Sequence, residues 1–347
     1  MGRFALLALV VAGSALTVAP GAGGGAAADD RSAGERLVLA VVGTERSSSA
    51  VHGERVVVAD PGSGQVRSRR LPGGTLCHGP LMTAGDRVVY TGYRGSRPAL
   101  MSLPLALTGA PSPLGRADTV IPSARPGHVW LGRWDQPGKR TRATFREVAV
   151  PGEAATSRAW SGSGSAIAGP LPGRWNAFHA ALPGGFVVET RRSLALWDGR
   201  TARPLRGGHG AWPVASGGPR FAWCRGRCRL VRVRTPAGER VFRSPAHLRL
   251  TGSGGSFSPD GRRLAVAVAK GRRTRAAVLD LRSGEWSMVP GGALSVYGAL
   301  AWSVTGDRLY IAPRGGGLRA WRPRAPRAET LPIDPRGTVM SIAVTGG

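Results

Sequence analysis

The sequence predicts an all-β protein, a seven-bladed β-propeller whose first blade is completed by the last strand of the chain. Three observations carry this. A glycine-led turn motif recurs along the chain, short strand-like runs follow each copy, and the final ten residues supply an inner strand that the first unit lacks.

The cleanest copy runs from Gly255 to Val268, Gly-Ser-Phe-Ser-Pro-Asp-Gly-Arg-Arg-Leu-Ala-Val-Ala-Val. Phe257 opens a strand and Pro259 pre-sets the turn φ. Asp260 is placed to bond back to the backbone, and Gly261 accepts left-handed geometry before a strand of alternating side chains. In chain order the copies are Gly34-Glu35-Arg36-Leu37, Gly85-Asp86-Arg87-Val88, the looser Pro126-Gly127-His128-Val129 and Gly184-Gly185-Phe186, then Gly218-Pro219-Arg220-Phe221, Gly261-Arg262-Arg263-Leu264 and Gly306-Asp307-Arg308-Leu309.

Each copy leads into a second hairpin. Val56 to Ala59 enters Asp60-Pro61-Gly62, Leu194 to Trp197 enters Asp198-Gly199, Leu230 to Val233 enters Thr235-Pro236-Ala237-Gly238, and Ala277 to Leu281 enters Arg282-Ser283-Gly284. Four short strands per unit without an amphipathic helix is blade arithmetic. The 312 residues from Arg36 onward divide into seven units of about 45, the period of a blade. The interval between Val129 and Phe186 is long, and leaves six or eight blades open at this stage. Thr338 to Gly347 matches the inner strand and turn seen at Ala301-Trp302-Ser303-Val304-Thr305-Gly306, while the unit at Arg36 has none. The C-terminal strand is therefore expected to complete the first blade and remove both sheet edges.

Phe257-Ser258-Pro259-Asp260-Gly261-Arg262-Arg263-Leu264-Ala265 resembles the motif of the TolB-like, WD40-like (PD40-type) propeller repeats, and Trp197-Asp198 matches the WD dipeptide. The resemblance implies a propeller with a binding or scaffolding role, an analogy of fold.

The N-terminus reads as a secretory signal peptide over residues 1–28. Arg3 is the positive region, Phe4 to Ala19 the apolar region and Ala26-Ala27-Ala28 the cleavage site. A linker over 29–35 and a single propeller domain over 36–347 follow. The apolar run falls short of the ~20 residues that span a bilayer, and no later stretch is long and apolar enough. The mature protein is expected to be secreted or held in the cell envelope, as a monomer.

The chain has 347 residues, 42% of them hydrophobic, and a net charge of +28. Of its 48 basic side chains only Lys139 and Lys270 are lysine, leaving 46 arginines. Such charge invites a polyanionic partner, but arginine-rich loops in an arginine-rich chain are also simply solvated surface.

Of the three cysteines, Cys224 and Cys228 flank Arg225-Gly226-Arg227 and are placed to close a disulfide across a tight hairpin, leaving Cys77 odd; three unpaired small hydrophobes is the alternative. No Cys or His set has metal-ligand spacing, so no metal or cofactor is expected.

Catalytic candidates are few. The predicted inner strands are apolar or small, and Asp60, Asp86, Asp198, Asp260 and Asp307 fall in turns, where backbone bonding explains them. No carboxylate pair suggests glycoside cleavage, and neither a nucleophile elbow nor a phosphate loop occurs. His179, beside Phe178 on a predicted inner strand, and His78 are expected to be structural. The tryptophans, including Trp130, Trp223, Trp302 and Trp321, are expected to pack between blades.

The loops joining second and third strands open on one face of the disc. They carry Arg94 and Arg97, Lys139, Arg140 and Arg142, Arg191 and Arg192, Arg225 and Arg227, Lys270, Arg272, Arg273 and Arg275, and Arg314. The first loop, Thr44 to Gly53, is longer and more neutral. These cations are the candidate binding residues, for an anionic envelope polymer or an acidic protein; export argues against nucleic acid. The arginine of the Gly-x-Arg motif would ring the opposite face, bonding neighbouring turns. The expected function is a non-catalytic binding module. A propeller lyase or hydrolase acting on anionic polysaccharide is the alternative.

Overall fold

The computed structural model describes residues 34–42, 55–71, 81–94, 97–115, 117, 119–125, 128–135, 141–150, 166–171, 175–190, 193–246, 248–251, 254–270, 273–291, 293–294 and 299–346. The Gly, Pro and Asp turns cut the chain into twenty-nine short strands, and no helix occurs among the described residues. They form seven antiparallel sheets.

The first sheet holds β1 (Arg36–Val42), β2 (Arg55–Ala59) and β3 (Val66–Arg70). The second runs from β4 (Met82–Ala84) through β5 (Arg87–Arg94) and β6 (Arg97–Pro104) to β7 (Ser112–Gly115). The third holds β8 (Thr119–Pro122), β9 (His128–Asp135), β10 (Thr141–Ala149) and β11 (Ala166–Leu171). The fourth holds β12 (Trp175–Leu182), β13 (Gly185–Thr190), β14 (Ser193–Trp197) and β15 (Ala202–His209). The fifth holds β16 (Ala211–Gly217), β17 (Arg220–Arg225), β18 (Leu230–Thr235) and β19 (Gly238–Arg243). In the sixth, the inner strand is split into β20 (Arg249–Leu250) and β21 (Ser256–Phe257), followed by β22 (Arg263–Lys270), β23 (Arg273–Asp280) and β24 (Trp286–Met288). The seventh holds β25 (Leu300–Trp302), β26 (Leu309–Ile311), β27 (Leu318–Trp321) and β28 (Glu329–Leu331).

The last strand, β29 (Thr338–Thr345), lies beside β1 with Arg36 opposite Thr345 and Val42 opposite Thr338. The blades number seven, and the C-terminal strand supplies the inner strand of the first. Closing the ring this way covers the inner edge of β1, which would otherwise be a template for aggregation.

Packing follows the ring. Seven apolar clusters of buried side chains each join consecutive blades, from Val38, Val56 and Tyr90 between the first two to Leu37, Leu39 and Tyr310 between the last and the first. Tryptophan N–H groups tie the blades across these interfaces. Trp197 donates to the carbonyl of Pro170 at 3.2 Å, Trp223 to Arg206 at 3.2 Å, Trp286 to Arg243 at 2.9 Å and Trp302 to Ser256 at 3.1 Å. The rings add apolar area and the N–H groups fix the angle of approach.

Glu35, counted with the linker in the sequence reading, is 4% exposed and belongs to the ring closure. It accepts the Val304 N–H at 2.9 Å and the Tyr310 hydroxyl at 2.8 Å, both from the last blade.

Candidate functional site

Because successive strands of a blade run in opposite directions, the first-to-second and third-to-fourth connections share one face of the ring, here the turn face. The second-to-third hairpins and the links between blades share the other, the hairpin face.

On the turn face the acidic residues are consumed by their own turns. Ser258 donates its hydroxyl to Asp260 at 2.6 Å and accepts the Arg263 N–H at 2.9 Å; Gly261, at φ 69°, closes the turn onto the Ser258 carbonyl at 2.8 Å. Ser303, Gly306 and Asp307 repeat the arrangement one blade later, with Ser303 donating to Asp307 at 2.8 Å. In the third-to-fourth turns Asp60, Asp198 and Asp280 each accept two backbone N–H groups, at 2.7 to 3.0 Å. The Ser63, Thr201 and Ser283 N–H groups, respectively, do most to hold these three carboxyls below the ordinary range, that of Asp198 at about 2.

The arginines of the repeat motif bond across blades. Arg220 donates to the Pro259 carbonyl at 3.2 Å and Arg263 to the Gly306 carbonyl at 3.1 Å, each reaching the turn of the next blade. Arg87 is buried and donates to the Ser102 hydroxyl at 3.1 Å. Six arginine–carboxylate pairs lie toward this face: Arg36–Asp60, Arg125–Glu147, Arg203–Asp198, Arg232–Glu239, Arg262–Asp260 and Arg308–Asp307. An open cleft between the last two blades is lined by Asp260, Arg263, Thr305 and Asp307, groups already committed to the turns, and by the exposed Arg322.

The hairpin face differs. Cys224 and Cys228 are joined by a disulfide, with Cα atoms 5.0 Å apart. The bridge closes the turn that presents Arg225 and Arg227, both exposed. The Cys228 N–H bonds the Arg225 carbonyl at 3.0 Å, and the buried Ser244 hydroxyl bonds the Cys228 carbonyl at 2.7 Å. Arg273 is exposed and Arg275 half-buried on β23, Arg314 is exposed in the hairpin of the last blade, and Arg142 is exposed on β10. None of these six arginines has an ion pair among the described residues. Arg94 and Arg97 sit opposite one another at a hairpin end, and Lys270 sits opposite Arg273, though the side chains of Arg94, Arg97 and Lys270 lie outside the described residues. So do Lys139, Arg140, Arg191, Arg192 and Arg272, and likewise Cys77 and His78.

His179 lies on the inner strand β12, at a bulge between Phe178 and Ala180. Its Nε2 is 2.7 Å from Glu189 on β13 and its ring stacks on Phe221 of the next blade at 6.1 Å. The sequence marked the histidine but not Glu189, because a bulge brings the pair together rather than regular alternation. Among the described residues no group of three His, Cys, Asp or Glu side chains converges as a metal site, and no helix is long and apolar enough to cross a membrane.

No family model and no curated protein sequence matches the chain. Solved structures do match. TolB from Acinetobacter baumannii superposes with a TM-score of 0.51 at 14% identity, over 89% of this chain and 66% of that one. Apo AztD from Citrobacter koseri gives 0.52 at 13% identity over 90% and 98%. The chain shares their β-propeller fold. The Pyrococcus horikoshii acylaminoacyl peptidase gives 0.52 at 10% identity, over 80% of this chain and 47% of that one. The chain thus spans about two thirds of TolB and about half of the peptidase. At these identities the likeness is one of architecture, common to a peptidase and to TolB, so function has to be argued from the site.

Proposed function

We propose that the chain is an exported, non-catalytic propeller, led out of the cytoplasm by residues 1–28, that binds an anionic polymer of the cell envelope through its hairpin face. The observation that carries this reading is the run of arginines on the hairpin face that have no ion pair among the described residues. Six arginine–carboxylate pairs gather toward the turn face, beside the exposed Arg200, Arg282, Arg322, Arg324 and Arg327; these five, and on the hairpin face Arg225, Arg227, Arg273, Arg275 and Arg314, have no ion pair among the described residues. Of the carboxylates toward the hairpin end, Glu189 is engaged by His179 and Asp334 by the Arg336 N–H, and Asp135 stands opposite Arg142 in the β9–β10 register.

Unpaired guanidinium groups keep their full field and their planar donor forks, which fit phosphate, sulfate or carboxylate oxygens two at a time. Binding of this kind weakens as salt screens it.

The test is retention on immobilised polyphosphate at about 50 mM salt, where screening is weak. A variant with Arg225, Arg227, Arg273 and Arg275 changed to Ser is expected to elute early. A charge-matched variant with the turn-face residues Arg125, Arg200, Arg203 and Arg262 changed to Ser is expected to elute near wild type. Equal behaviour of the two variants would overturn the assignment to the hairpin face.

A further inference from the structure

Four large apolar side chains are markedly exposed among the described residues, and two of them, Leu230 at 48% and Val241 at 47%, are neighbours on the outer strands of the fifth blade. In the β18–β19 register Leu230 is opposite Arg243, Arg232 opposite Val241 and Arg234 opposite Glu239. Residues directly opposite in an antiparallel pair share a face, so these six side chains form one surface. It is the surface turned toward the fourth blade, since Trp223, opposite Arg232 on β17, packs into the cluster between those blades.

The fourth blade covers only the inner part of this surface. β15 reaches it at Arg206, whose carbonyl takes the Trp223 N–H, and at Gly207, where a Cβ would meet Arg232 Nε at 2.7 Å. Leu230 and Val241, further out, stay exposed. β19 is the outermost strand of its sheet, so its far edge has no strand neighbour among the described residues.

The charges around the two apolar side chains are mostly positive. Arg232, Arg234 and Arg243 share the surface, and Arg206 is exposed on the strand beside it. The single carboxylate, Glu239, is taken by Arg232 at 2.9 Å. A polymer of sugars and phosphates would satisfy the arginines and leave Leu230 and Val241 wet. An apolar ligand would bury the aliphatic groups beside uncompensated guanidinium charge.

We infer that this flank of the fifth blade is a docking surface for an acidic protein segment carrying apolar anchor residues. Carboxylates of such a segment meet Arg234, Arg243 and Arg206 while its anchors cover Leu230 and Val241, the mixed composition that specific interfaces use. The surface is separate from the hairpin arginines and rests on different observations.

The experiment uses purified protein and two fluorescein-labelled acidic octapeptides, one with leucines among its carboxylates and one with serine in place of each leucine. The leucine peptide is expected to bind about tenfold more tightly than the serine peptide, a modest gain for two partly buried side chains. Leu230→Thr/Val241→Thr, which places a β-branched residue at each exposed strand position, is expected to erase that preference while leaving the melting temperature and the serine-peptide affinity unchanged. The hairpin variant lacking Arg225, Arg227, Arg273 and Arg275 is expected to keep the preference, so failure here and failure of polyphosphate retention are separately visible. Equal binding of the two peptides by wild type, or a preference that survives in the Leu230/Val241 variant, would overturn the proposal. Polyphosphate displacing the serine peptide but not the leucine peptide would support it.

Discussion

The Tyr310 hydroxyl donates a 2.8 Å hydrogen bond to Glu35, joining a side chain in the last blade to one at the entry of the first. Burial, and then the bond to Glu35, hold the tyrosine protonated well above its ordinary range, so it stays a donor at any pH the protein meets. Glu35 also accepts the Val304 N–H, and the ring is thus closed by a polar contact as well as by β29.

Removing the carboxylate strands the buried Tyr310 hydroxyl and the part-buried Val304 N–H. Glu35→Ala is expected to lower unfolding stability by roughly 2–4 kcal/mol, since each unsatisfied buried group costs about 1–3 kcal/mol. Glu35→Gln retains an acceptor and should lose less. Urea unfolding of the two variants beside wild type measures both values, and an alanine variant as stable as wild type would mean the contact contributes nothing.

The strand closure has a different signature. Deleting residues 338–347 removes the partner of β1 and leaves its edge open at the centre of the ring. The truncated protein is expected to lose cooperative thermal unfolding and to elute as aggregates in size-exclusion chromatography. A monomeric, cooperatively melting truncation would show that the other six blades hold the first in place unaided.

Why the strand closure was legible in the sequence and the Glu35 contact was not comes down to range. Glycine, proline and aspartate turns act within four or five residues, so Ser258 to Gly261 and Ser303 to Gly306 announce themselves locally, and the strands between them follow. Glu35 bonds residues 269 and 275 positions away, and by composition it belongs with the linker before it. The arginines are easier to read, because the motif acts locally. Arg220 and Arg263 stand third in the Gly-x-Arg motif and bond the turn of the next blade, as the motif implies, whereas Arg225 and Arg227 lie outside it between two cysteines and are exposed. Leu230 reads as one more apolar strand residue, yet it is 48% exposed.

The aspartates of the third-to-fourth turns contribute to the acid response, together with Asp260 and Asp307, whose carboxyls also lie below the ordinary range. Asp60, Asp198 and Asp280 have folded pKa values below the ordinary 3.8, that of Asp198 at about 2. A depressed folded value means the stabilisation is fully present above the unfolded pKa and is lost as pH falls through the folded one. The melting temperature should therefore hold steady down to about pH 5 and fall between about pH 4 and 2. Replacing all three with Asn keeps an acceptor in each turn but removes the titration, so circular-dichroism melts of that variant should show a shallower decline. An identical decline would place the acid sensitivity elsewhere.

The disulfide bears on stability and on binding together. It closes a turn of only five residues, for which loop entropy gives about 2 kcal/mol. Cys224→Ala/Cys228→Ala is accordingly expected to lower stability by about that amount while the ring persists, since Cys224 and Cys228 sit in the cluster between the fifth and sixth blades and Ala keeps part of that packing. The turn itself would loosen. Arg225 and Arg227 would then have to be ordered on contact with an anionic chain, at an entropic cost that the bridged turn has already met. Retention on polyphosphate should fall between wild type and the arginine-deficient variant, measured at a temperature where all three proteins are folded. Retention equal to wild type would show that the arginines act through charge alone, without help from the rigidity of the turn.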